Sequence, residues 1–192
     1  MMTRTLTSAL AAIALIFITD SASTASQATD PIRNATLHLK DQDGRTVDPA
    51  RFAGNYILVN FIFTSCATTC PTQTAELVQL DRTLPRSVRS RLTFLSISVD
   101  PKKDTPAKLK LYARSLDADG PRWTFATGSR ADIARITRDF AVFRPGENAT
   151  GFHTSEVRLF DPAHRMLQRY AGAPLASRQL RADLMTLMPR RS

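Results

Sequence analysis

Residues 60–77 read NFIFTSCATTCPTQTAEL, and the order of residue types in this stretch decides the class of fold. Upstream, Tyr56 to Phe63 (YILVNFIF) is an almost unbroken apolar run rich in β-branched and aromatic residues. That is the pattern of a strand covered on both faces. Downstream, Pro71 introduces QTAELVQLDRTL, where Leu77, Leu80 and Leu84 recur at helical spacing and Val78 widens the stripe. Proline is tolerated in a first helical turn because its missing N–H has no intrahelical partner there, so a helix starts close to Cys70. Both cysteines therefore sit at the carboxyl end of a buried strand, the edge where open α/β sheets collect their ligand sites.

Working outward, Leu37, Leu39 and Val47 flank Asp41-Gln-Asp-Gly44, which has the turn chemistry of a β-hairpin. Leu92 to Val99 (LTFLSISV) reads as a second buried strand, followed by a loop from Asp100 to Pro106 with Thr105 as cap of a helix through Leu116. Trp123 to Ala126 is a short strand, and Ser129 opens a helix with Ile133, Ile136 and Phe140 on one side. After a Gly/Pro-containing loop over 144–152, Glu156–Phe160 and Met166–Tyr170 pair as a hairpin, and Ser177 caps a last helix bearing Leu180, Leu184 and Leu187. This order predicts an α/β domain, a central mixed sheet with helices on both faces. It is the thioredoxin-like arrangement with an N-terminal β-hairpin extension.

A chain of 192 residues with 43% hydrophobic residues builds one core. Its start carries one Arg, an apolar stretch from Leu10 to Ile18, and small residues ending at Ala25. The stretch is about half of the ~20 residues a spanning helix needs, so 1–25 reads as a cleaved secretory signal, with an uncleaved N-terminal anchor as the alternative. Residues 26–34 then form a disordered linker and 35–192 the domain, in the periplasm or another extracytoplasmic space. The net charge of +9 survives removal of the leader, because Arg4 and Asp20 cancel. Export and the lack of interleaved aromatics argue against nucleic acid, which leaves a solvated basic surface or a dock for an acidic partner.

Two cysteines four positions apart close too small a loop to staple distant segments, so redox or metal chemistry takes their place. A helix N-terminus favours thiolate over thiol, the form that both a nucleophile and a metal ligand require. Side chains four apart in a helix have Cβ atoms roughly 5–6 Å apart, whereas a relaxed disulfide wants about 3.5–4.5 Å. On that geometry an ion fits between the sulfurs more easily than a bond. Two soft sulfurs suit Cu(I), and an imidazole would complete a three-coordinate site that also accepts Cu(II). Of three histidines, His38 lies in the first hairpin strand and His164 in a polar turn, where a surface or hydrogen-bonding role suffices. His153 precedes a strand after a loop that, in a thioredoxin arrangement, packs beside the cysteines.

FTSCATTCPT at 63–72, SVDPKKDTP at 98–106 and GFHTSEVRLFDPAHRMLQRYAG at 151–172 resemble, in order, the three signature segments of the Sco/SenC family. The resemblance implies a thioredoxin-like fold, copper on Cys66, Cys70 and His153, and service to the binuclear copper centre of cytochrome c oxidase. The expected partner is then the copper-accepting oxidase subunit, with another copper carrier or a thioredoxin-like reductant beside it, and the protein is expected to be a monomer. Asp100 matches the family's acidic residue after the second strand and is either a tuning or docking charge or a loop cap. Asp104 is assigned to the turn before the next helix, and Met166 to the core. Many relatives keep an anchor and carry an acidic residue between the cysteines, where this chain has Ala-Thr-Thr. The rival to copper delivery is a thiol-disulfide reductase, in which Cys66 and Cys70 are the redox pair that keeps the oxidase's copper-ligand cysteines reduced. Peroxide reduction is disfavoured because Thr64 stands two residues before Cys66, not three. The basic surface permits a copper or redox sensor without pointing to one.

Overall fold

A computed structural model of the chain describes residues 30–143 and 155–188. The elements run α1 (Pro31–Thr36), β1 (Lys40–Asp41), a 3-10 turn (Pro49–Phe52), β2 (Tyr56–Ile62), α2 (Thr69–Thr83), α3 (Arg86–Arg89), β3 (Leu92–Ser98) and α4 (Pro106–Ser115). They continue with β4 (Trp123–Thr127), α5 (Arg130–Asp139), β5 (Val157–Phe160), β6 (Met166–Tyr170) and α6 (Ser177–Leu187). One six-stranded sheet has the order β1-β4-β3-β2-β5-β6. Strands β2, β3 and β4 are parallel, from Tyr56 opposite Leu92 to Ile62 opposite Ser98, and β1, β5 and β6 pair antiparallel.

Alternation along the strands divides the core in two. Leu58 and Ile62 of β2 face Leu77, Leu80, Leu109, Leu180 and Leu184 under α2, α4 and α6. Ile57, Val59 and Phe61 face Ile32, Phe52, Ile133, Ile136 and Phe140 under α1 and α5. Burial on both faces is why β2 carries an unbroken apolar run, and the thioredoxin-like mixed sheet with helices on both sides is the architecture found.

The helix starts follow local chemistry. Thr105 and Ser129 accept amide N–H bonds from Lys108 and Asp132, as N-cap residues do. Ser177, expected to cap the last helix, is instead its first residue, and its hydroxyl donates to the Leu175 carbonyl. The hairpin at the amino end is a tight turn: the Asp41 carboxylate accepts the amides of Asp43 and Arg45, and Gly44 takes φ 78°. Its strand β1 lines the sheet edge against β4.

Two further expectations are corrected. Residues 31–34, assigned to a linker, belong to α1, because Ile32 and Ala35 are buried beneath α5 and Asp30 caps the helix through the Arg33 amide at 2.9 Å. Met166 is 45% exposed on the edge strand β6, not in the core.

Asp30 does a second task, its other carboxylate oxygen lying 2.7 Å from Nδ1 of the buried His164 in the β5–β6 turn. His164 is thus a hydrogen-bonding histidine, and His38 is exposed. Replacing Asp30 by Ala removes a helix cap and a histidine partner, and is expected to cost about 1–2 kcal/mol. A urea midpoint lowered at constant m-value would show it, and an unchanged midpoint would mean α1 docks through its apolar residues alone.

Candidate metal centre

Strand β2 ends at Ile62 and α2 begins at Thr69, so the turn between them must satisfy its own amides and those of the helix start. Thr68, at the N-cap position, makes no side-chain cap bond. The sulfur of Cys66 takes that part: the Cys70 amide donates to Cys66 Sγ at 3.3 Å, while the Cys66 amide donates to the Phe63 carbonyl at 3.1 Å. Only Cys70 is helical, so the two thiols are not a helical i, i+4 pair. The separation expected from helix geometry therefore does not govern them.

Both cysteines are reduced, Cys66 partly exposed and Cys70 buried. Burial raises the Cys66 thiol, but the amides of Cys70 and Thr68, the Cys70 thiol and the Thr69 amide together outweigh it and hold Cys66 below its ordinary value. Burial pushes Cys70 up to about 12, opposed by the Phe63 backbone and reinforced by the bond to Cys66 and the charges of Cys66 and Asp104. One thiol is thus the more acidic and partly exposed, and the other holds its proton inside the core.

Asp104 belongs to the site, which its assignment to a turn did not foresee. It is fully buried, and its carboxylate accepts the Thr64 amide at 3.0 Å, the Thr64 hydroxyl at 2.5 Å and the Ser98 hydroxyl at 2.6 Å. It ties the chain two residues before Cys66 to the end of β3. The sequence signal was present in SVDPKKDTP, but no spacing rule says that a carboxylate forty positions away would reach Thr64. Asp100 is partly buried, with its carboxylate 3.8 Å from Lys103 Nζ, and its carbonyl accepts the loop amides of Lys103 and Asp104. From α4, the Tyr112 hydroxyl approaches Thr74 of α2 at 3.3 Å, and burial, then the nearby negative charges, push its ionisation well up.

His153 lies outside the described residues. Among the described residues no three His, Cys, Asp or Glu side chains gather as metal ligands. What they supply is the sulfur pair, and soft sulfurs at a helix N-terminus fit Cu(I).

A reduced thiol pair at the strand-to-helix turn of a thioredoxin-like sheet defines a thiol or soft-metal protein. The SCO1/SenC family model matches residues 25–188, and the chain belongs to that family. It is 31% identical over 164 residues to the SCO1 protein homolog of Bacillus subtilis, covering 82% of this chain and 84% of that one. It superposes with a TM-score of 0.63 at 28% identity on copper-bound ScoI of Bradyrhizobium japonicum, over 78% of this chain and 96% of that one. BsSco, a member of the Sco family of cytochrome c oxidase assembly proteins in which a disulfide switch is identified, matches with a TM-score of 0.65 at 28% identity, over 80% and 92%.

Two measurements test the site. Alkylation of the reduced protein is expected to label Cys66 first, at a rate that climbs with pH through a midpoint below that of an ordinary cysteine, while Cys70 reacts only on unfolding. Equal labelling would sink the division between the thiols. Asp104→Asn replaces an acceptor-only carboxylate with an amide that leaves a buried Thr64 or Ser98 donor unpaired, a loss of about 1–3 kcal/mol. Thermal unfolding measures it, and faster alkylation of Cys66 should accompany it.

Proposed function

We propose that this chain is an exported copper metallochaperone that takes one copper ion on Cys66, Cys70 and His153 and delivers it to the copper-accepting subunit of cytochrome c oxidase. The observation that carries the reading is the sulfur pair itself, with the more acidic thiol partly exposed and the other buried behind it at a helix N-terminus. The copper-bound relative supports it.

The division of the thiols gives the loading step an order. Cys66, the more exposed thiol and the one whose ionisation the amides at the helix start favour, meets the incoming ion first. Cys70 then gives up its proton in exchange for the metal, since thiolate and not thiol is the ligand. Two sulfurs satisfy Cu(I) in part, and a neutral imidazole supplies the nitrogen that Cu(II) also accepts. Transfer to the oxidase subunit proceeds by ligand exchange, and the proton returns to Cys70 as copper leaves.

Export rests on the leader at 1–25. No helix among the described residues is long and apolar enough to cross a membrane. Another copper carrier would load the protein on that side, and a thioredoxin-like reductant would keep its thiols reduced there.

The same thiol division favours a second reading, thiol-disulfide reduction of the oxidase's copper-ligand cysteines. Cys66 thiolate would attack one sulfur of the target disulfide and expel the other as thiolate. Cys70, losing its proton, would then attack Cys66 Sγ, releasing the second target thiolate and leaving a Cys66–Cys70 disulfide. The target gains two electrons and the protein loses two, which the reductant restores.

His153→Ala separates the two readings. The variant is expected to fold, to form the Cys66–Cys70 disulfide, and to bind copper more weakly by at least the roughly 10–100-fold that loss of a group orienting a ligand brings. Cys66→Ser and Cys70→Ser should lose both activities. Copper titration followed by thiolate-to-copper absorption is the measurement. Wild-type affinity and stoichiometry in His153→Ala would make the reductase the leading reading.

A further inference from the structure

The two edges of the sheet are unlike. On one side it ends in β1, two residues long and followed at once by a tight turn, which leaves little backbone for another chain to pair with. On the other it ends in β6, five residues or about 17 Å of strand, and no described strand lies beyond it. Met166 to Arg169 are exposed, Met166 at 45% and Leu167 at 41%. An edge strand carries a row of outward N–H and C=O groups, and an apolar one is a template for a further strand.

β6 presents different chemistry on its two faces. Side chains directly opposite each other on paired strands share a face. Gln168 lies opposite Leu159 and Tyr170 opposite Val157, in the layer under α6, whereas Arg169 lies opposite Arg158, whose guanidinium rests on Phe61 and Phe140. Between β6 and α6 runs a groove of about 480 Å³ with Leu159, Leu167 and Leu187 in its lining. On the other face the charges do not balance. Arg158 and Arg169 share one carboxylate, Glu156, at 3.1 Å and 4.0 Å. Burial pulls the Arg158 guanidinium below its ordinary value, Glu156 holds it up, and the charge of Arg169 works against it. Arg165, in the turn before β6, is satisfied by Asp161 at 2.7 Å. Among the described residues, Arg169 therefore presents an unmatched positive charge at this edge, with its side chain 48% exposed.

We propose that β6 is the docking edge for a partner protein, which adds an extended segment of alternating apolar and acidic residues to the sheet. Main-chain bonds to β6 hold the segment, and alternate side chains supply the specificity. One set, apolar, enters the groove against α6; the other, carboxylate, turns to the opposite face and meets Arg169. A second copy of the chain is a poor occupant, because it brings two proteins of net charge +9, each with Arg165 and Arg169 at the seam, into contact. The strand order β2-β5-β6 sets this edge two strands from the one that leads into the cysteine turn, so docking here does not use the sulfur pair.

The probe is a blocked synthetic peptide alternating glutamate with valine, and a lysine–valine peptide is its opposite. Bound to the full chain, the glutamate peptide is expected to slow amide exchange within 166–170 and to leave 92–98 of β3 unchanged. The lysine peptide should bind at least about tenfold more weakly, as like charges at an interface do. Arg169→Glu should reverse this preference, and Arg169→Gln should level it if that variant fails to fold. Leu167→Gln should weaken both peptides, since it takes an apolar wall from the groove. In all three variants the alkylation rate of Cys66 should stay that of the wild type. Equal affinity for the two peptides, no slowing at 166–170, an unchanged preference in Arg169→Glu or full affinity in Leu167→Gln would overturn the proposal. So would amides at 166–170 that are protected in the free protein and lose that protection on dilution, since a second copy would then hold the edge.

Discussion

The site depends on how the backbone between Ile62 and Thr69 is satisfied. A strand buried on both faces passes straight into a helix, and the helix start has no side-chain cap from Thr68. The first amides of a helix have no intrahelical acceptor, and that of the buried Cys70 must find one among its neighbours. Here the acceptor is a sulfur, Cys66 Sγ, and the turn that presents it is fastened from outside by the Asp104 carboxylate. The groups that complete the fold at this point are the groups that prepare a thiolate.

From that constraint follows the inequality of the two thiols. Cys66 lies where amides converge, and they hold its ionisation below the ordinary value although burial works against them. Cys70 points into the layer beneath α2, where a charge would be poorly solvated, and it keeps its proton. Such a pair suits stepwise chemistry, one partner engaging at the surface and the other committing only when a metal ion or a sulfur replaces its proton. Copper delivery and disulfide reduction share this first requirement. They part at the third ligand, which only the metal needs.

A buried polar chain from Trp123 to Gln73 crosses the layer beneath α2. Its members come from β4, β3, β2 and α2, and its far end lies on the carbonyls of Ser155 and Gly172. Side chains that alternate with Leu58, Ile62 and Phe94 toward the α2 layer would ordinarily be apolar. A fully paired polar row in that position gives the layer a direction as well as a volume.

The sequence alone determined the thioredoxin-like order of elements, because the unbroken run at Tyr56–Phe63 and the helical spacing of Leu77, Leu80 and Leu84 are local patterns with physical periods. It determined that Cys66 and Cys70 stand at the strand-to-helix turn, because Pro71 marks the helix start. It could not show that Cys66 lies outside that helix as its sulfur cap, since a turn's path depends on what its amides find to bond. Nor could it join Asp104 to Thr64, Asp30 to His164, or Gln73 to Ser155. Those contacts cross the sheet or bring together residues far apart in the chain. Which buried donor meets which buried acceptor was decided by tertiary packing, because hydrogen-bond partners are chosen by distance in space and leave no period in the sequence.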